Sequence, residues 1–596
     1  MKQQKKGKNG QYLNLMGRLF LQQIILVLLS IFALSCKREN LDYTFDYRPN
    51  PDAEKASNVR LVNLSENAQL IANGDSLTNF FVPPNRIGYI PPEELIPPGT
   101  RYFPKDGRLG QSWTVPQDLF QTDGTIRFRT TFVPIPNKTI ASHDVEFTVR
   151  DSYTAPKDYY LLINHESRVQ HPDKLVEVPR SVTAPARPDH FKIRIINFAK
   201  KLMPTSSMED IAGPITLAYA DGTPVSKVTA KIESNTWSDY VELPYGTYQF
   251  KLLTADGRQI PAVGHTYYNN IDRFNSTMEM GGGAIPRMSS GQTYAPVQTF
   301  QPGGIYTIVV HPKEFTWTTG TDDIRELQNG FQIIADISEP LNRTYAQLQL
   351  ANTIVGQNTV LAAKGQKTAA TAYGIASDYI RVVTGQQHIA IETTSGKALA
   401  SMEAELQAGQ NYTAWLYMDQ DEKVKVLLAA NNLAGTTYTG KEGSGNNASI
   451  DRVKSNYMFN FRFLNFCTAL PYATFTNGEG RPFGTQVMDS GVNMVPGVLN
   501  ILQPYTSLLY SASNDIGGAY QFMVYSSLPT RIPGDWLEQV KPLSSTQLVA
   551  NPKLYTAVGR KVPLHEPGVY SIAVIGDLKS TAETDKAKFM VVKHTK

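Results

Sequence analysis

The chain has 596 residues, of which 41% are apolar, 10% aromatic and 18% charged, with 43 glycines and 37 prolines. A chain this apolar is not disordered, and one this poor in Ala/Leu/Glu/Lys runs is not a coiled coil. The formal charge of +4 belongs to the first 35 residues, where Lys2, Lys5, Lys6, Lys8 and Arg18 stand without an acid. The remainder carries 52 basic against 53 acidic residues, a charge of −1. Such a body has no basic face to displace counterions, so no nucleic-acid partner is expected.

The basic start is followed by LFLQQIILVLLSIFALSC, Leu19 to Cys36, whose strongly apolar part, Ile24–Leu34, spans 11 residues. A bilayer takes about 20, so this is the length of a signal peptide. A retained anchor would have to recruit Leu19, Phe20 and two glutamines. The ending Ala33-Leu34-Ser35-Cys36 resembles a bacterial lipobox, which implies acylation of the Cys36 thiol and cleavage before it. Several acyl chains make such anchoring stable. The expectation is a signal peptide over 1–35 and a lipidated Cys36 (diacylglycerol and a fatty acid such as palmitate) opening a polar tether over 36–57. Lys37, not Asp, follows the cysteine, so the outer membrane and the cell surface are the expected address. The only other cysteine, Cys467, has no intramolecular partner once Cys36 is acylated, so a buried thiol is expected and the cores must stabilise the protein unaided.

Four short runs look alike in chain order: VRLVNLS from Val59, IRIINFA from Ile193, FQIIADI from Phe331 and FRFLNFC from Phe461. Arg60, Arg194 and Arg462 take the second position, and Asn63, Asn197 and Asn465 the fifth. The starts lie 134, 138 and 130 residues apart, too far for a solenoid repeat of about 20–50 residues and suited to duplicated domains. In the last three units a Gly-containing run follows: LPYGTYQFKL from Leu243, VVTGQQHIAI from Val382 and MVPGVLNIL from Met494. Glycine there permits positive φ and a tight entry to the next strand. A third run closes each unit on Tyr306, Tyr412 or Tyr570, with a looser counterpart near Tyr159 in the first.

Asp106-Gly107, Asp123-Gly124, Asp221-Gly222, Asp256-Gly257 and Asn477-Gly478 are turn signals between strands. TIRFRTTF from Thr125 alternates with the period of a half-buried strand. Helical periodicity is confined to short candidates near Thr321–Gly330 and Asp535–Val540. The expected class is all-β, a series of tandem Ig-like β-sandwich domains at 58–190, 191–328, 329–440 and 458–596, with a linker at 441–457.

The Arg/Asn strand together with LPYGTYQFKL resembles the Ig-like domain-of-unknown-function family numbered 4397, common in exported lipoproteins of Bacteroidota. The resemblance is best over Ile193–Val310 and weaker in the other units. It implies an Ig-like sandwich and an envelope location, and supplies no catalytic residue.

Motifs for chemistry are sparse. The histidines of HESRVQH, His165 and His171, are six apart where a zinc helix needs four. Asp419 and Asp421 of YMDQDEK lack the Gly and terminal Glu of a calcium loop and suit a hairpin turn. GQKT at Gly365 is not a phosphate loop, and no Gly-x-Ser-x-Gly elbow occurs. No cofactor and no metal are implied. Aromatics remain, because Trp and Tyr stack on sugar faces. Trp113, Trp237, Trp317 and Trp536 lie outside the repeated strands, Trp415 lies in a closing strand and suits a core, and HTYYNNIDRFN offers Tyr267, Tyr268 and Phe274. Tyr267, Tyr268, Phe274, Trp237 and Trp536 are the candidate ligand contacts, because loops on rigid sandwiches concentrate binding residues. The expected function is a non-catalytic surface lipoprotein binding a glycan or an envelope protein. The alternatives are a fimbrial or adhesin-type subunit joined by strand exchange and a polysaccharide-acting enzyme.

Overall fold

The computed structural model describes residues 56–595 apart from 80–98, 132–143, 163–173, 202–211, 260–297, 432–436, 439–453, 456–458, 484–490, 500–505, 508–520, 555–565 and a few shorter gaps. Within these residues the protein is all-β and no α-helix occurs. Ala56–Lys596 forms one compact unit.

Four sandwiches follow one plan. Each opens on a strand, Ala56–Asn63, His190–Asn197, Tyr345–Asn352 or Phe459–Asn465, that pairs in parallel with a return strand near the sandwich's end. The return strands are Lys157–Leu161, Ile305–Thr319, Asn411–Met418 and Gly568–Ile575. A closing strand, Leu175–Pro179, Asp322–Ala335, Val424–Asn431 or Lys588–Lys593, then pairs antiparallel with the return strand. The intervening chain builds the facing sheet, such as Asp75–Ser76, Gln69–Ala72, Thr125–Thr131 and Val145–Arg150 in the first sandwich.

The opening strands look continuously apolar because both faces are covered. Val59 and Leu61 enter the first sandwich's own core, while Val62 and Leu64 join Ile196, Phe198, Val309 and Ile334 of the second sandwich in a shared cluster. Ile193 and Ile195 likewise face inward. The third and fourth sandwiches repeat this: Leu348, Leu350, Phe461 and Phe463 point into their cores, and Ala351, Trp415, Leu464 and Phe466 meet between them. Trp415 stacks on Phe466 at 5.1 Å, so it packs between sandwiches.

The recurrent asparagine is a strand-end clamp. Asn197 donates through Nδ2 to the Gly213 and Ile232 carbonyls at 2.9 Å each and accepts from Ala199 N–H at 3.1 Å. Asn465 does the same with Leu470, Met494 and Cys467. The recurrent tyrosine ties the return strand to the chain before it: Gln301 N–H donates to Tyr306 Oη and Gln407 N–H to Tyr412 Oη. Such a corner fixes the connection's exit angle.

Several expectations need correction. FQIIADI does not open the third sandwich: Phe331–Ala335 ends the closing strand of the second, paired along Ile305–Thr319. The third opens on Tyr345–Asn352, so its equivalent residues are Gln349 and Asn352, and a boundary at 328/329 would cut the hairpin. The starts are then Val59, Ile193, Leu348 and Phe461, which lie 134, 155 and 113 residues apart. In the first sandwich Val59 pairs with Lys157, so Lys157, not Tyr159, takes the closing-tyrosine register. The helix candidates fail too, since 322–330 is strand and Asp535–Trp536 ends one. Apolar residues in a two-faced strand imitate helical spacing. Gly246 does not have positive φ; a Cβ there would lie 2.7 Å from Gln347 Nε2 of the third sandwich, so a larger residue would displace that side chain. Thr125–Thr131 of TIRFRTTF is the expected strand, alternately buried.

Asn197→Ala removes three hydrogen bonds, those to the Gly213 and Ile232 carbonyls and the one from Ala199 N–H, and is expected to cost about 2–3 kcal/mol, read as a lowered denaturant midpoint. A loss below about 0.5 kcal/mol would remove the clamp's structural role.

Candidate functional site

Three register positions meet where the sandwiches pair, namely the second residue of the recurrent run in the opening strand, its neighbour on the return strand, and a residue at the end of the closing strand or just past it. In the first pair these are Arg60, Asp158 and Arg180 facing Arg194, Thr307 and Asp336. Arg60 donates to Asp158 through Nε at 2.9 Å and Nη2 at 2.6 Å, and across the interface to Asp336 at 2.8 Å and the Ala335 carbonyl at 2.5 Å. Asp336 also accepts from Thr307 and Tyr240, at 2.7 and 2.8 Å, and Arg194 lies over the Tyr240 ring at 4.7 Å. Burial opposes charge on Arg60, but Asp158 and Asp336 hold the guanidinium well above its ordinary value. Burial pushes the Asp336 carboxyl up, against the pull of Arg60.

In the second pair the same positions carry Gln349, Thr413 and Asn431 facing Arg462, Ser571 and His594. Gln349 donates to Thr413 at 2.8 Å and contacts His594 Nδ1 at 3.0 Å, while Ser571 meets His594 Nε2 at 2.7 Å. Arg462 donates to Ser571, the Ala430 carbonyl and Asn431. Burial holds His594 well below the usual imidazole value, so it is neutral. One interface is ionic and the other is an amide–imidazole network.

A further buried group joins the second and fourth sandwiches: Lys251 Nζ lies 2.6 Å from Glu566 Oε1, and Lys593 Nζ lies 3.1 Å from Oε2. Burial opposes ionisation of Glu566, but Lys593 and Lys251 hold its carboxyl at about 2; burial brings Lys251 down to about 8.

Between the second, third and fourth sandwiches lies a cleft of about 540 Å³, within the roughly 300–1,000 Å³ range of small-molecule sites. Tyr245 and Tyr248 line it from the second sandwich, Gln349, Asp378 and Arg381 from the third, and His594 and Thr595 from the fourth. Its walls are braced: Arg381 Nε bonds Asp189 at 2.5 Å, and Gln347 Nε2 donates to the Tyr245 carbonyl at 2.9 Å.

Neither described aromatic candidate, Trp237 or Trp536, lines the cleft. Trp237 and Trp536 are exposed, 37% and 46%, on the short strand Thr236–Trp237 and on Arg531–Trp536 of different sandwiches. Tyr267, Tyr268 and Phe274 lie outside the described residues, as do Cys36 and the HESRVQH histidines. Trp113 packs beside Phe103 and Phe128, and Trp317 lies on the return strand Ile305–Thr319. Cys467 is buried, and burial pushes its thiol up to about 11. Asp419 accepts from the Asp421 and Lys423 amides of a hairpin turn. The cleft residues escaped sequence reading because they come from three sandwiches. The one available signal was the polar position at or just past the end of each closing strand, which carries Arg180, Asp336, Asn431 and His594.

The chain matches no family model and no curated protein. Among solved structures it is similar to the Bacillus anthracis TIE protein at 9% identity and a TM-score of 0.10, covering 85% of this chain and 66% of that one.

Glu566 has a folded-state pKa of about 2 against an ordinary 4.5. Its contribution to stability is therefore complete above about pH 4.5 and lost as pH falls towards 2. Thermal melting across this window should show a loss that Glu566→Gln reduces; an unchanged pH slope in that variant would contradict the assignment.

Proposed function

We propose that this chain is a lipid-anchored outer-membrane protein, displayed at the cell surface, that holds a glycan or protein ligand without transforming it. The observation that carries the binding part is the braced cleft of mixed polar and apolar lining at the junction of three sandwiches. The strongly shifted ionisable groups favour holding over chemistry, because Asp336, Glu566 and His594 are each engaged in contacts between sandwiches. A general acid or base needs a proton free to exchange with substrate near working pH. The envelope address rests on the basic, apolar and Cys36-ended start of the sequence, and the Ig-like family resemblance agrees with it. Exposed Trp237 and Trp536 remain further contacts for a larger ligand.

The test uses the full chain, purified from membranes in a detergent without sugar groups. Mass spectrometry should find an acylated Cys36, and Cys36→Ala should leave the membrane fraction. Incubation with a panel of polysaccharides and envelope proteins should give retention without new products. Released oligosaccharides would indicate an enzyme, self-assembled polymers would indicate a fimbrial subunit, and an unmodified Cys36 would remove the anchor.

A further inference from the structure

The walls of the cleft narrow what it holds. Resting on the binding role proposed above, we infer that the cleft between the second, third and fourth sandwiches takes a short uncharged saccharide, held by Arg381, Asp378 and the His594–Thr595 edge. Both lining cations already face carboxylates: Arg381 through Nε to Asp189 at 2.5 Å, and Lys593 to Glu566 at 3.1 Å. A carboxylate or phosphate ligand would find its counter-charge already compensated, next to Asp221 and Asp378, which also line the cleft. Hydroxyl groups suit these walls better. They donate to the carboxylates and accept from the Nη groups of Arg381, whose planar fork spans two neighbouring oxygens.

A second observation points to an occupant. Thr595 lines the cleft, is only 5% exposed, and its buried Oγ1 has no hydrogen-bond partner among the described residues. A buried hydroxyl without a partner carries a desolvation cost, which rotation of the side chain towards a bound hydroxyl would relieve. His594 beside it is neutral, with Nδ1 engaged by Gln349 and Nε2 by Ser571, so it brings no charge to this edge.

The experiment is calorimetric titration of the full chain, in a detergent without sugar groups, with neutral gluco-, manno-, galacto- and xylo-oligosaccharides and with acidic oligogalacturonate. At least one neutral series should bind and the acidic one should bind tenfold or more weakly. Ala550 is an exposed residue of the lining, so Ala550→Trp should narrow the cleft without disturbing a core and weaken binding at least tenfold. Thr595→Val should weaken it severalfold with an unchanged melting temperature. Preference for the acidic series, or a neutral saccharide bound equally by wild type and both variants, would overturn the inference. In the second case polysaccharide retention would still stand, through another surface. If no saccharide is retained at all, this inference and the glycan form of the proposed function fall together, while capture of a protein would be unaffected.

Discussion

The structure depends on a sheet that is covered twice. Each opening strand places alternate residues in its own sandwich and the others against a neighbouring one, so four small cores merge through two shared apolar clusters. A sheet half-buried in an isolated domain becomes a central layer, and the pairs gain rigidity from packing that no disulfide supplies. This arrangement also explains the braced cleft, because paired sandwiches bring their strand ends together from several directions.

Polar residues within those shared layers add specificity more than raw stability. Buried ion pairs gain little over apolar packing, but they penalise any arrangement that leaves a charge without its partner. Arg60 needs Asp158 from its own sheet and Asp336 from the next sandwich, which fixes both register and mate. The pair formed by the third and fourth sandwiches uses Gln349, Asn431 and His594 at the same positions. An arginine-bearing sheet placed against the wrong neighbour would therefore bury an unsatisfied group.

The class of fold was legible in the sequence, and the reason is physical. Asn63, Asn197 and Asn465 recur because each clamps a loop at a strand end, and Tyr306, Tyr412 and Tyr570 recur because each ties a return strand to what precedes it. Such local duties leave local signatures. The third unit misled because FQII of a closing strand and LQLAN of the true opening strand are both apolar, and Gln349 replaces the expected arginine. The cleft was scarcely legible. Asp378, Arg381, His594 and Thr595 are ordinary polar residues in sequence and acquire meaning only when three sandwiches meet. Exposed tryptophans drew notice because aromatic residues are conspicuous in composition, not because anything in the chain placed them together.

The claim that sandwiches are mated through their opening sheets is tested most directly by a double-mutant cycle on Arg60 and Asp336. Urea unfolding of Arg60→Ala, Asp336→Ala and the double variant should give a coupling energy of about 1–3 kcal/mol, as for residues in direct contact. Strict additivity, within about 0.3–0.5 kcal/mol, would mean that the first and second sandwiches do not meet through these residues.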